Sequence, residues 1–203
     1  MKQLTIALAK GRLMDETIEL LNKKGINIDY ETNSRKLIFE SKDTSIKFFI
    51  VRAQDVATYV EGNGADLGVA GLDVLTENKK DVFELMDLGI GKCSVVVAGK
   101  SSNYPDTPTQ LKVATKFVNI ADEFFAKKGM AIEIIKLYGS IELAGLIGLA
   151  DCIVDIVSTG QTLKENGLCV IEEIMKSSAF LVANRVSYYT KNKEIARLLD
   201  LLK

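Results

Sequence analysis

Two pairs of passages repeat within the chain in the same order, and this repeat restricts the fold more than any other feature of the sequence. Residues 4–30 and 111–135 each read as a strand, a lysine, a helix, Lys-Lys-Gly and a second strand. Residues 64–75 and 149–163 share an Ala-Asp dipeptide before an apolar run. One match could arise by chance between α/β units, but two matches in order favour a duplication. We therefore expect two similar lobes.

Strand and helix patterns alternate along the chain, which is typical of a largely parallel sheet. The strands that we expect include 4–9, 26–30, 37–40, 46–51, 66–70, 93–98, 152–157, 169–174 and 180–186. An amphipathic helix is expected at 192–202, with its apolar stripe in the core. The fold class that follows is α/β, with two similar lobes of mixed, mainly parallel sheet flanked by helices.

The order of these elements suggests how the chain divides. Lobe I is expected to comprise residues 1–92 and 178–203, and lobe II residues 93–177, because the strand at 180–186 returns to the first lobe. The polar segment 100–109 holds both prolines and also has the composition of a domain boundary. Open α/β sheets bind ligands at the carboxyl ends of their strands. Two such lobes would place an active site in the cleft between them.

The composition excludes several classes of protein. The chain has 203 residues, of which 47% are hydrophobic and 26% charged, and its net charge is −1. This balance is typical of a soluble globular protein and argues against a nucleic-acid-binding surface. The apolar run 6–9 is too short for a signal peptide, and no stretch approaches the ~18 apolar residues of a membrane span. We therefore expect a cytoplasmic protein whose partners include neither nucleic acid nor membrane.

The chain contains no histidine, and its three cysteines show no metal-ligand spacing. We expect Cys93, Cys152 and Cys169 to be buried, reduced thiols. The lack of histidine removes the commonest general base and every Ser-His or Cys-His pair. Any chemistry must use carboxylates, basic side chains and backbone donors, with or without a metal.

The stretch 151–163 has the pattern of a phosphate-binding turn. Its apolar run Cys152–Val157 reads as a buried strand, and a short helix is expected to follow. The hydroxyl residues and the glycine at 158–160 lie where the strand's carboxyl end meets the helix's amino end, so backbone N–H groups point at one spot. The alternative is an ordinary loop in which a hydroxyl caps the helix.

Asp155 interrupts this apolar strand with a carboxylate. Burying a carboxylate without a partner or ligand is costly. We expect Asp155 to lie behind the phosphate, where it could accept hydrogen bonds from sugar hydroxyls or help to hold a divalent ion. A sugar diphosphate fits this pairing of hydroxyl donors and acid.

Basic residues adjoin several of the expected strands. The segment Lys10-Gly11-Arg12 separates the first strand from its helix, Arg52 follows another strand, and Arg35 precedes one. Lys116 has in the second passage the place that Lys10 has in the first. Arginine and lysine bind phosphate oxygens, so these residues are candidates for an anionic ligand. The alternative is that they are solvated surface charges.

At these residues the sequence resembles the short form of the ATP phosphoribosyltransferase family. The motifs that carry the resemblance span almost the whole chain: LAKGRL, SRKLIF, RAQDVATYVEGNGADLGVAGLDVL, ATKFVNIA, KLYGSIELA and GLADCIVDIVSTGQTL. The last is the family's phosphoribosyl-diphosphate loop. The resemblance implies two lobes like those of type II periplasmic binding proteins. It also implies the reaction of ATP with 5-phosphoribosyl 1-diphosphate that opens L-histidine biosynthesis, with Mg2+ on the diphosphate.

The resemblance assigns roles to individual residues. Those expected to bind phosphoribosyl diphosphate are Asp155, Ser158, Thr159, Gly160, Gln161, Thr162 and Glu142. Those expected to bind ATP or diphosphate are Lys10, Gly11, Arg12, Arg35, Arg52 and Lys116. Arg12 and Arg35 are expected to be catalytic, because they would stabilise charge on the departing diphosphate. The protein's own metal ligands are left open, since the substrate diphosphate is expected to hold most of the Mg2+.

The resemblance also implies partners. Chains of the short form work with a separate regulatory subunit similar to histidyl-tRNA synthetase, so we expect a homodimer that enters such a hetero-oligomer. The family's long form carries an additional carboxyl-terminal regulatory domain, and by resemblance to the short form we expect this protein to lack it. The alternative function is that of a non-catalytic cytosolic small-molecule-binding protein of the same two-lobed fold. A structural interaction module is a third possibility, which Asp155 and the glycines disfavour.

Overall fold

The computed structural model describes residues 2–28, 30, 36–42, 45–104 and 110–203. It forms two compact units, the first of Met1–Gly91 with Ser178–Lys203 and the second of Lys92–Ser177. Among the described residues, no helix has both the length and the apolar character needed to span a membrane.

The elements follow one another in strand and helix alternation. The chain begins with β1 (Leu4–Ala9), α1 (Arg12–Lys23), β2 (Ile38–Glu40), β3 (Ile46–Val51), α2 (Val56–Glu61), β4 (Leu67–Gly71), α3 (Leu72–Asn78) and β5 (Phe83–Asp87). It continues with β6 (Cys93–Gly99), β7 (Leu111–Thr115), α4 (Val118–Lys127), β8 (Ile132–Lys136), α5 (Ile141–Leu146), β9 (Cys152–Val157), α6 (Gln161–Glu165) and β10 (Cys169–Ser177). It ends with β11 (Ala179–Ala183), α7 (Arg185–Thr190) and α8 (Asn192–Leu202).

The first unit is a sheet of order β2-β3-β1-β4-β11-β5. Strands β3, β1 and β4 are parallel, and β11 runs antiparallel between β4 and β5. Strand β1 is central and buries both faces: Ile6 and Leu8 pack in one apolar cluster and Ala7 in another. The helices α1 and α8 cover the first face and α2 covers the second, so this unit has helices on both sides of its sheet.

The packing of α2 depends on a glycine in β4. A Cβ atom added to Gly68 would lie 2.7 Å from a methyl group of Val56 and 2.7 Å from one of Val60. Both valines belong to α2 and are buried. Any larger residue at this position would push the helix away from the sheet, because close-packed interiors have no room for an extra carbon.

The second unit is a sheet of order β10-β6-β9-β7-β8. Strands β8, β7 and β9 are parallel, and β6 runs antiparallel between β9 and β10. Helix α4 packs on one face through Ile120 and Phe125, and α5 and α6 pack on the other through Ile141 and Leu163. Each unit therefore has three parallel strands followed by one antiparallel strand, and the expected α/β class is confirmed.

The repeated Ala-Asp dipeptide has the same structural role in both units. In the first, the Asp66 N–H donates to the Thr5 carbonyl (3.0 Å), and the Asp66 carboxylate accepts the Thr5 N–H (2.8 Å). In the second, Asp151 makes the same two bonds to Lys112, at 2.9 and 2.8 Å. Each aspartate thus ties the start of the strand that follows it to the neighbouring parallel strand, β4 to β1 and β9 to β7, which explains why this part of the repeat is visible in the sequence.

The two aspartates differ in what else they hold. Asp66 is buried and also accepts hydrogen bonds from the Thr5 hydroxyl (2.8 Å), the Ser187 hydroxyl (2.6 Å) and the Lys191 ammonium (2.7 Å). Burial alone would raise the pKa of Asp66, but the bonds from Lys191, Ser187 and Thr5 outweigh it and hold the pKa below its ordinary value. Asp66 therefore connects the last two helices to the first strand. Asp151 is exposed.

Three expectations from the sequence are wrong in detail. The described residues of the expected strand 26–30 form no strand: Ile28 makes an isolated bridge to Ser41. Strand β3 is the strand that pairs with β1 on the side away from β4. The sequence predicts one long extended run at 82–99, with its clearest strand at 93–98, whereas the structure has two strands there, β5 and β6, separated by a turn in which Gly89 and Gly91 have positive φ. The polar segment 100–109 lies within the second unit, and the chain passes between units at 91–92 and 177–178.

Candidate functional site

Three parallel strands of the second unit end at one edge of its sheet, and most of the expected sugar-diphosphate residues lie there. Strand β7 is the neighbour of both β8 and β9. Lys116 follows β7, Glu142 lies in the first turn of α5 after β8, and the turn 158–160 follows β9. We call this set, with Asp155 and the start of α6, the second-unit edge. The structure thus brings together residues that are up to 46 positions apart, counted from 162 to 116.

The turn at 158–160 has the strand-to-helix geometry that the sequence predicts. Gly160 has φ +74°, the left-handed region, and precedes α6. A Cβ atom here would have ordinary contact with Val157 at 3.8 Å, so the glycine is required by its backbone conformation and not by lack of space. Ser158, Thr159, Gln161 and Thr162 are exposed. Since α6 has only five residues, any affinity for an anion must come from local N–H and hydroxyl groups more than from a helix dipole.

Asp155 has a protein partner. Its Oδ1 lies 3.0 Å from the Lys116 ammonium and accepts the Ile156 N–H at 2.8 Å. The Asp155 side chain is 12% exposed and that of Lys116 26%, so the pair is partly screened from water. The Lys116 ammonium also lies 4.9 Å from the centre of the Phe117 ring. Lys116 compensates the charge of Asp155, a contact that the sequence did not predict.

Sheet register corrects the expected equivalence of Lys116 and Lys10. Leu8 is paired with Val69 in the first unit, and Thr115 is paired with Val154 in the second. With Asp66 and Asp151 as the common reference, Lys116 corresponds to Ala9, one residue before Lys10. Alignment of the two repeated passages matched Lys10 with Lys116 because both are lysines. In the structure β1 is one residue longer than β7, so each lysine follows its strand but at a different register position.

Thr115 belongs to this edge and was not among the candidate residues. It is fully buried, its hydroxyl donates to the Val154 carbonyl (2.7 Å), and the same oxygen accepts the Phe117 N–H (2.8 Å). The sequence feature that could have identified Thr115 is a threonine at the end of an apolar strand, directly before a lysine. Threonine is also common in strands for structural reasons, so this feature is weak evidence for a role in a site.

The expected basic residues of the first unit lie at the corresponding edge of its own sheet. Lys10 follows β1 and its N–H donates to the Val51 carbonyl (2.9 Å), so it is next to Arg52, which follows β3. Gly11 precedes α1 with φ +108°. Lys10, Gly11, Arg12 and Arg52 are exposed. We call these four residues the first-unit edge.

Arg12 is held by a side chain of its own helix. Its Nη1 lies 3.0 Å from Glu16 Oε1, and the other oxygen of Glu16 accepts the Gly91 N–H at 2.7 Å. The Arg12 side chain is 60% exposed. An exposed pair of this kind is worth about 0.3–0.5 kcal/mol, so a phosphate could displace it. Arg35 lies outside the described residues, and its position stays a prediction.

The described residues offer no group of three or more carboxylate or thiol side chains that could hold a metal ion. Asp155 and Glu142 are the carboxylates assigned to the second-unit edge. Mg2+ is often held by one or two carboxylates together with substrate phosphates, and this donor set fits such a shared arrangement.

A separate surface pocket of about 240 Å³ lies in the second unit, lined by Gly99, Lys100, Gly145, Asp151 and Ile171 among others. Asp151 precedes β9, so this pocket lies at the amino end of the strand whose carboxyl end carries the turn. It is not the place where the candidate residues meet.

Comparison with known proteins gives the family. The model of the family described as HisG: ATP phosphoribosyltransferase matches residues 52–203. An ATP phosphoribosyltransferase of Caldanaerobacter subterraneus subsp. tengcongensis is 52% identical over 94% of this chain and 91% of its own length. A solved chain of the ATP phosphoribosyl transferase (HisG:HisZ) complex from Thermotoga maritima is 36% identical, covers 98% of this chain and 96% of that chain, and has a TM-score of 0.84.

A more distant similarity concerns the fold alone. The alkanesulfonate-binding protein SsuA from Xanthomonas axonopodis pv. citri has a TM-score of 0.61 at 14% identity, covering 98% of this chain and 71% of that chain. This likeness confirms the expected architecture of the periplasmic-binding-protein type. The family model and the relatives at high identity both extend over most of the residues described above, so the chain belongs to the ATP phosphoribosyltransferase family.

Proposed function

We propose that this chain catalyses the reaction of ATP with 5-phosphoribosyl 1-diphosphate, which yields phosphoribosyl-ATP and diphosphate in the first step of L-histidine biosynthesis. Membership of the family, with one relative 52% identical over 94% of the chain, is the observation that carries this proposal. The second-unit edge supports it, because it combines a left-handed glycine turn with exposed hydroxyls and a carboxylate.

The second-unit edge is the proposed site of the sugar diphosphate. The turn residues Ser158, Thr159, Gly160, Gln161 and Thr162 would hold the 5-phosphate through N–H and hydroxyl donors. Asp155 would accept hydrogen bonds from ribose hydroxyls through Oδ2, since its contacts with Lys116 and the Ile156 N–H are both made by Oδ1. Glu142 would lie near the ribose or the metal. Lys116 would act on this side of the site, with Asp155, instead of binding ATP as first expected.

The first-unit edge is the proposed site of ATP and of the leaving diphosphate. Lys10, Gly11 and Arg12 would bind phosphate groups, and Arg52 and Arg35 would bind ATP or diphosphate. We propose that the two units correspond to the expected lobes.

The reaction requires charge stabilisation and alignment more than proton transfer. A ring nitrogen of adenine attacks the anomeric carbon with its own lone pair, and the bond from that carbon to the diphosphate oxygen breaks. No general base is needed for this step, which suits a chain without histidine. Arg12 and Arg35 would stabilise the negative charge that develops on the departing oxygen. Mg2+, when bound by the diphosphate and a neighbouring carboxylate, would neutralise further charge.

We propose that the chain forms a homodimer and joins a regulatory subunit of the HisZ type. The Thermotoga maritima neighbour is named as such a complex, and this chain matches 96% of the solved chain. We also propose a cytoplasmic location, supported by three cysteines that are all free thiols. The expectation that all three are buried is wrong, because Cys93 and Cys169 are partly exposed and only Cys152 is buried. Burial raises the pKa of Cys152 to about 12, so this thiol is unreactive.

The test is to mix the purified chain with ATP, 5-phosphoribosyl 1-diphosphate and Mg2+ and to follow the ultraviolet absorbance of the substituted adenine. We expect a product that needs both substrates and releases diphosphate in equal amount. Binding of either substrate without this product would instead support the non-catalytic small-molecule-binding protein.

A further inference from the structure

We propose that Thr115 is a positioning residue of the sugar-diphosphate site, a role that rests on the function proposed above. Its hydroxyl holds the two backbone segments that carry Lys116 and Asp155, and thereby sets the direction of the Asp155 carboxylate.

The hydroxyl of Thr115 lies between the neighbours of both charged residues. It donates to the carbonyl of Val154, the residue before Asp155, at 2.7 Å. It accepts the N–H of Phe117, the residue after Lys116, at 2.8 Å. The parallel pairing of β7 with β9 ends at Thr115 and Val154, so no further ladder bond between these strands fixes the positions that follow. The Thr115 side chain therefore links the two backbone segments just beyond the last paired residues of these strands.

The charged pair itself is held on two sides. The Lys116 ammonium lies 3.0 Å from Asp155 Oδ1 and 4.9 Å from the centre of the Phe117 ring. Phe117 is fully buried in the apolar cluster under α4, so its ring cannot move freely. A shift of the Phe117 backbone would move the ring and, with it, the lysine that aligns the carboxylate.

The first unit shows that the fold does not require these polar groups. By sheet register, Thr115, Lys116 and Asp155 correspond to Leu8, Ala9 and Ala70. All three residues of the first unit are apolar and buried, and the strand pairing there is the same. Equivalent positions of the two sheets are therefore occupied by packed apolar side chains in the first unit. In the second unit they carry a hydroxyl, an ammonium and a carboxylate group. Since packing alone suffices in the first unit, we assign the polar set to ligand binding.

The test replaces the hydroxyl by a methyl group of equal size. Thr115→Val should raise KM for 5-phosphoribosyl 1-diphosphate on the order of tenfold or more, as small misplacements of substrate-holding groups do, and should leave KM for ATP within about twofold. Thr115→Ser should restore the wild-type value, because it returns the hydroxyl. In a Lys116→Met background the valine substitution should have little further effect, since Thr115 acts through the charged pair.

Thr17 provides a matched control, because it is equally buried and its hydroxyl donates to the Leu13 carbonyl in α1. Thr17→Val should change neither KM. Thr115→Ala gives the same comparison should the valine variant not fold. Equal effects of Thr115→Val on both KM values, or no rescue by serine, would overturn the proposal. If the wild-type chain makes no phosphoribosyl-ATP, the proposed function fails, and calorimetric binding of 5-phosphoribosyl 1-diphosphate still decides the role of Thr115.

Discussion

Removal of the Asp66 carboxylate should destabilise the first unit far more than removal of its counterpart destabilises the second. Asp66 and Asp151 make the same two backbone bonds, but only Asp66 also binds Thr5 Oγ1, Ser187 and Lys191. The substitution Asp66→Ala leaves these donors facing a small buried cavity. Asp151→Ala removes one carboxylate bond at an exposed site and is the matched control.

The contacts set the size of the effect. Loss of one partner of a buried ion pair costs about 3–5 kcal/mol. We take about 3 kcal/mol for Asp66→Ala, because the Lys191 side chain is 24% exposed and keeps a bond to the Gln3 carbonyl. With a typical urea dependence of roughly 1.5 kcal/mol per M, the unfolding midpoint falls by about 2 M. A single exposed bond in Asp151→Ala costs about 1 kcal/mol or less.

Urea unfolding followed by far-ultraviolet circular dichroism measures both variants. The pH dependence of the unfolding midpoint is a second test. The pKa of Asp66 is lower in the folded state than in the unfolded state, where it is about 3.9, so the carboxylate stabilises the fold fully above that pH. This stabilisation is lost as the pH falls through the folded-state pKa. Asp66→Ala should lack that part of the acid dependence. Equal midpoint losses in the two variants, or an unchanged acid dependence, would refute the assigned role of Asp66.

Three further predictions concern function. Gly160→Val forces a β-branched residue to φ +74° and should weaken 5-phosphoribosyl 1-diphosphate binding about tenfold in calorimetry, whereas Gly167→Val, at φ +64° beyond the other end of α6, should leave the affinity unchanged. Arg12→Ala and Arg35→Ala should each lower kcat about a hundredfold at saturating substrates, while Arg185→Ala, an exposed arginine paired with Asp81, should not; near-normal turnover would contradict their catalytic role. The isolated chain should be active and unaffected by millimolar histidine, with inhibition appearing only after a HisZ-type subunit is added; strong inhibition of the chain alone would show that it carries its own effector site.

Strands that are apolar on both faces could be predicted from the sequence. The prediction was wrong where strand formation depends on pairing with residues elsewhere in the chain. Strand β1 is buried on both faces and is evident from its apolar run. Residues 26–30 have a similar apolar pattern, but the strand that pairs with β1 on the side away from β4 is β3, which begins twenty residues later. No local pattern could reveal which segment pairs with β1, because strand pairing depends on residues far apart in the chain.

The sequence predicted the turn of the candidate site but not the side-chain contacts that hold the neighbouring residues in place. The Ser-Thr-Gly turn is a local signal, and the structure has it at the expected junction. The contact between Lys116 and Asp155 joins two strands, and the role of Thr115 depends on the bonds that one hydroxyl makes to both segments. Such contacts follow from sheet register. The register differs by one residue from the alignment of the two repeats, which matched Lys116 with Lys10 instead of Ala9.

The position of β11 determines when the first unit can fold during synthesis. Strand β11 lies between β4 and β5, yet the ribosome makes it only after all of Lys92–Ser177. Until then β5 has no partner in its own sheet, whereas the second unit already has every strand it needs. Its ends are also adjacent, since Cys93 pairs with Ser177. The second unit should therefore complete its fold first on the nascent chain, and the first unit should close around the returning strand afterwards.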